Sequence, residues 1–195
     1  MVRLRLAFLA FALAACGPAL AEPVTVSGVR YDDATELRGQ KLQLNGAGIR
    51  YKAVFKVYTA GLYLPKRAST PEEVLAMPGP KRMSITMLRE IDSGELGKLF
   101  SRGMEDNMEK AAFSKLVPGV LRMSQIFSEH KKLNAGDSFQ VDWVPGTGMI
   151  ITVKGVPQGE PFKEPEFFNA LLRIWLGPNP ADWKLKDALL GKAAG

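Results

Sequence analysis

The stretch from Tyr51 to Leu64, Tyr-Lys-Ala-Val-Phe-Lys-Val-Tyr-Thr-Ala-Gly-Leu-Tyr-Leu, constrains this chain more than any other. Aromatic and β-branched residues at this density fit a pleated, half-buried surface, so it predicts a long strand ended by Pro65. Ahead of it stands Asn45-Gly46-Ala47-Gly48, which reads as a turn or bulge because Gly and Asn tolerate positive φ. With a period of two, Val54, Lys56, Tyr58, Ala60 and Leu62 share one face, and Phe55, Val57, Thr59, Gly61 and Tyr63 the other. Arg50 is an even number of residues from Tyr58, so an unbroken strand points both the same way, and a bulge reverses the relation. An arginine and a phenol on one buried face make an anion-binding pair. The same spacing also fits an edge-strand arginine snorkelling to solvent beside a core tyrosine.

Around this stretch the pattern predicts strands over 24–31, 37–44 and 82–89, and a strand hairpin over 139–144 and 149–153. Helices are predicted from Thr70-Pro71, from Asp92 to about Ala112, from Pro118 to His130, from Glu164 to Trp175 and from Asp182 to Leu190. On the helix after Asp92, Leu96, Leu99, Phe100, Gly103, Met104, Asn107 and Ala111 fall on one side. Asn107, central to that stripe, needs polar partners, either structural or from a ligand. Strands first, a helical block, a hairpin and a helical end point to an α+β open-faced sandwich, an antiparallel sheet covered on one face by helices.

Residues 1–21 read as a signal peptide: Arg3 and Arg5, an apolar run from Leu6 to Ala15, and the cleavage site Ala19-Leu20-Ala21 before Glu22. The expectation is a periplasmic protein with one domain over 22–195. Leu13-Ala14-Ala15-Cys16 also reads as a lipoprotein box, and membrane contact is expected only if Cys16 is lipidated. No other segment is apolar and long enough to cross a membrane. Losing Arg3 and Arg5 leaves 24 basic against 20 acidic residues, a net charge of +4. No Lys/Arg run exceeds two residues, so no nucleic-acid patch is expected. A basic balance favours anionic small molecules or membrane surfaces.

With His130 the only histidine and Cys16 the only cysteine, zinc sites and histidine-based triads lack their parts, and no metal is expected. Asp32-Asp33, Glu72-Glu73 and Glu105-Asp106 are adjacent pairs whose side chains diverge, unlike an acid/base couple. Phosphate-cradling and dinucleotide fingerprints are missing, and no cofactor is expected.

Gly46-Ala47-Gly48-Ile49-Arg50 followed by Phe55 to Leu64, with Ile174-Trp175-Leu176-Gly177 and Asp182 to Gly191, resembles the bacterial branch of the chalcone isomerase fold family over roughly 24–192. In true chalcone isomerases the motif arginine stabilises negative charge during ring closure, and this resemblance places Arg50 there. The strand threonine's place is taken by Tyr58, with Thr59 beside it. The helical Tyr–Asn pair falls on Phe100 and Asn107, and the late-helix hydroxyl on Phe168. Three of five positions therefore depart from the catalytic set. Losing one positioned donor typically costs about a hundredfold or more, so chalcone isomerase activity and catalytic residues are not expected.

The resemblance to plastid fatty-acid-binding relatives, where an Arg–Tyr pair holds the carboxylate, implies an exported non-catalytic binder of a fatty acid or similar amphipathic carboxylate. The ligand residues it implies are Arg50, Tyr58, Thr59, Phe100, Asn107 and Phe168. The alternatives are an isomerase or lyase of unknown substrate using Arg50 and Tyr58, or an interaction module whose pocket its own side chains fill.

Overall fold

The computed structural model describes residues 23–192; the signal-peptide and Cys16 readings fall outside them. The described residues begin with two hairpins. β1 (Val24–Val26) pairs with β2 (Val29–Tyr31), where one strand was expected, because Ser27 and Gly28 turn at positive φ. β3 (Ala34–Leu37) and β4 (Gln40–Lys52) are likewise divided by Arg38-Gly39. β5 (Phe55–Leu64) returns antiparallel to β4. Of the turn or bulge expected at Asn45–Gly48 the structure has the bulge, within the strand, and the reversal comes at Ala53 (φ 53°) and Val54.

α1 (Pro71–Ala76) starts at the expected Thr70 cap, which forms a capping box with Glu73. Then come β6 (Lys81–Met87), β7 (Ile91–Asp92), α2 (Ser93–Glu105), α3 (Lys110–Ser128) and β8 (Lys132–Leu133). α2 stops seven residues earlier than expected, and α3 begins eight before Pro118. Pro118 is exposed, so water can satisfy the carbonyl it leaves unbonded inside α3. β9 (Ser138–Val144) and β10 (Gly148–Val153) form the expected hairpin. β11 (Val156–Phe162) was not expected, since Pro157 and Pro161 argue against a strand; it lies at the sheet edge, where they are tolerated. α4 (Pro165–Leu176) and α5 (Trp183–Leu189) complete the chain.

The main sheet has seven antiparallel strands in the order β11-β10-β9-β6-β5-β4-β3. Tyr58, Ala60, Leu62, Met83, Ile85, Phe139 and Val141 point from one face into the main core, where they meet Phe100, Phe127, Phe168, Leu171 and Trp175 of the helices. A smaller cluster on the other face packs Tyr31, Leu37, Leu42, Leu44 and Tyr63 with Val26 and Val29 of the first hairpin.

Two β-bulges decide which way the central strands point. In β4, Leu44 pairs with Tyr63 but Gly46 with Leu62, leaving Asn45 as the extra residue. Before it, Leu42 and Leu44 face the small cluster; after it, the even-numbered residues Gly46, Gly48 and Arg50 turn to the helical side. Buried Asn45 is held by its own side chain: Nδ2 donates to Ala68 O (2.9 Å) and Leu189 O (2.7 Å), and Oδ1 accepts from Ala68 N (2.8 Å). In β5 the extra residue is Val57, between Tyr58 opposite Arg50 and Lys56 opposite Tyr51.

Candidate functional site

Arg50 and Tyr58 are cross-strand partners in β4 and β5, so they share a face by pairing rather than by period along one strand. The half-buried Arg50 guanidinium stands 5.7 Å from the centroid of the Tyr58 ring. Among the described residues it forms no ion pair and no side-chain hydrogen bond. Tyr58 is 2% exposed, and its hydroxyl accepts a 2.8 Å bond from Trp175 Nε1 in α4. That bond leaves the hydroxyl proton free to donate. Burial pushes the Tyr58 pKa up to about 12, against the opposing pull of the Arg50 charge and the Trp175 bond, so the phenol stays neutral around pH 7.

The pair opens on a cavity of about 180 Å³ between the sheet and α2. Val57, Ile91, Leu96, Leu99, Phe100 and Ile174 give it an apolar interior, and Arg102, Asp106 and Asn179 stand at its exposed rim. Behind Phe100 the space is taken by aromatic rings: Phe127, Trp175 and Phe139 lie 5.5, 5.6 and 5.8 Å from it, centroid to centroid. A second, more polar cavity of about 230 Å³ shares Arg50, Val57, Ile91 and Leu99 and adds Lys52, Arg89, Glu90, Asp92 and Glu95. Arg50 therefore sits at the junction of an apolar pocket and a charged vestibule. This arrangement fits an anionic head joined to a small apolar body.

Residues 23–191 match the family model described as chalcone isomerase-like. The chain belongs to the chalcone isomerase-like family. A fatty-acid binding protein of Arabidopsis thaliana has the same fold, with a TM-score of 0.68 at 15% identity, covering 87% of this chain and 96% of the plant protein. No curated protein matches the chain.

Of the residues singled out in the sequence, this chalcone isomerase-like chain brings Arg50, Tyr58 and Phe100 to the cavity. Thr59 lies on the opposite sheet face, where its hydroxyl accepts from Tyr31 Oη at 2.8 Å. Phe168 lies deeper along α4, stacked on Trp143 (5.7 Å) with the Lys81 ammonium 5.9 Å from its ring. Asn107 falls in the link after α2 and acts as a clamp. Its Nδ2 donates to Gly103 O (2.8 Å) and Asn179 O (2.9 Å), and its Oδ1 accepts from Asn179 N (2.8 Å). With those partners made, it holds in place the 179–181 segment that lines the cavity rather than reaching into it.

Trp175 and the segment Asn179-Pro180-Ala181 were not singled out as site residues. A buried tryptophan needs an acceptor for its indole N–H, which was the available clue to Trp175. The 179–181 segment carries no such mark, because its place depends on a bond to Asn107 seventy-two residues away.

Proposed function

We propose that this protein is an exported, non-catalytic binder of an amphipathic carboxylate such as a fatty acid, with the head at Arg50 and Tyr58. The observation that carries this reading is the half-buried Arg50 guanidinium, which among the described residues has no ion-pair or hydrogen-bond partner, beside a Tyr58 proton that has no acceptor among them. Both are donors, and both residues line the apolar pocket. The fatty-acid binding name of the plant neighbour supports the same ligand class. The isomerase or lyase alternative needs a group that takes up a proton, and Tyr58 with a pKa of about 12 is a poor base near neutrality.

Cavity size sets the ligand. A cavity of roughly 150 Å³ holds a benzene-sized molecule, and drug-sized ligands occupy roughly 300–1,000 Å³. The 180 Å³ pocket therefore suits a ring or a chain of about six carbons, with Phe100 as its floor. Titration calorimetry over saturated acids from butanoate to palmitate should give an optimum at medium length, with methyl esters at least tenfold weaker than their acids. Equal affinity for acid and ester, or no binding of any acid, would refute the reading. For export, intact-mass analysis of protein recovered from the periplasm should show Glu22 as the first residue. A diacylated Cys16 would instead place the protein on a membrane.

A further inference from the structure

The β4–β5 turn carries two apolar side chains outward into water. Val54 is 82% exposed and Phe55 59%, at the tip of a hairpin whose reversal is set by Ala53 at positive φ. Cations surround them: Lys52 and Lys56 are exposed on either side, and the Arg89 guanidinium lies 5.3 Å from the centroid of the Phe55 ring. Of the acids that line the neighbouring vestibule, Glu90 pairs with Lys132 at 2.8 Å and Asp92 caps α2 by accepting from Glu95 N, while Glu95 is exposed. The tip continues into the site, since Lys52 and Arg89 line the vestibule that shares Arg50. Phe55 and Tyr58 are three residues apart, about 10 Å along a strand.

We propose that this hairpin tip docks the protein on an anionic lipid bilayer and sets the mouth of the Arg50 cavity at headgroup depth. A narrow convex tip with two apolar residues offers far less than the roughly 800 Å² per side of a stable protein interface. It does suit insertion among headgroups, with an apolar point buried about 5–10 Å and lysines and arginine reaching back to lipid phosphates. Each such cation near an anionic surface strengthens binding about fivefold. Docking of this kind needs no lipidated Cys16, and it stands apart from the ligand reading, because empty vesicles suffice to test it.

The test is vesicle sedimentation of the mature protein from Glu22 onward, free of residues 1–21 and so of Cys16, on phosphatidylcholine alone and with about 30% phosphatidylglycerol. Binding to the anionic vesicles is expected, and it should weaken in high salt. Val54→Ser/Phe55→Ser should lower the partition coefficient at least tenfold, and Lys56→Glu about twentyfold. Both changes lie on exposed side chains outside the cavity, so carboxylate binding and melting temperature should stay those of the parent. No binding to anionic vesicles, equal binding to neutral ones, or equal partition of parent and Val54→Ser/Phe55→Ser would overturn the proposal. So would a dimer in sedimentation equilibrium that Val54→Ser/Phe55→Ser abolishes, which would make the tip a contact between copies.

Discussion

Arg50→Ala is expected to weaken carboxylate binding by roughly tenfold to a few hundredfold while leaving the melting temperature nearly unchanged. Hydrogen bonds to a charged group are worth about 1.5–3 kcal/mol each, and about 1.4 kcal/mol is tenfold in affinity. A carboxylate at the pocket mouth meets two parallel guanidinium donors, and without them it enters an apolar site unpaired. The fold has little to lose, since among the described residues no protein group is ion-paired or hydrogen-bonded to that guanidinium. Arg50→Lys should recover only part of the affinity, because an ammonium cannot reproduce the planar fork. Tyr58→Phe separates the two roles. It should cost less affinity but more stability, about 1–3 kcal/mol, because Trp175 Nε1 is left buried without its acceptor. Calorimetric titration of medium-chain acids, paired with thermal melts, checks all three variants. Undiminished binding in Arg50→Ala would make Arg50 a structural residue.

Gly46→Ala should destabilise the protein by about 3 kcal/mol or more. A Cβ at this position would lie within van der Waals overlap of the backbone of α5, at Ala188 O and Leu189 O. Backbone atoms cannot rotate aside as a flexible side chain can. Gly48 faces the same helix, where a Cβ would come 2.7 Å from Ala188 Cβ. α5 is also tied to β4 by Asp182, whose carboxylate caps the helix and accepts from Tyr51 N at 2.7 Å, so the helix cannot simply lift away. At about 2–4 °C per kcal/mol for a chain of this size, the melting temperature should fall by about 6–12 °C. Gly97→Ala within α2 is the control. Its Cβ meets only ordinary contacts with Ser124, and alanine's helix preference should stabilise by up to about 1 kcal/mol. Equal melting of Gly46→Ala and the parent would show that close approach of α5 is not why glycine stands there.

What the sequence determined by itself is local. The capping box of Thr70 and Glu73, the Asp92 cap, the hairpin across Pro145 to Gly148 and the strand from Phe55 to Leu64 depend on neighbours within a few residues. The family motif fixed the fold class and marked Arg50. It could not give the reason for its own glycines: neither Gly46 nor Gly48 has positive φ, and both are bare because a helix from the far end of the chain packs on them. Only the tertiary structure decided the direction of Arg50. Read from Leu42 and Leu44 with an unbroken period, Arg50 would join the small cluster on the other sheet face. The bulge at Asn45 turns it toward the helices, and that bulge is held by Ala68 and by Leu189, far along the chain. Thr59 and Asn107 follow the same rule, since Tyr31 and Asn179 satisfy them, and sequence spacing says nothing of such partners. Periodicity assigns a residue to one of two faces, but long-range pairing decides where a bulge exchanges them, and with it which donors meet at the cavity.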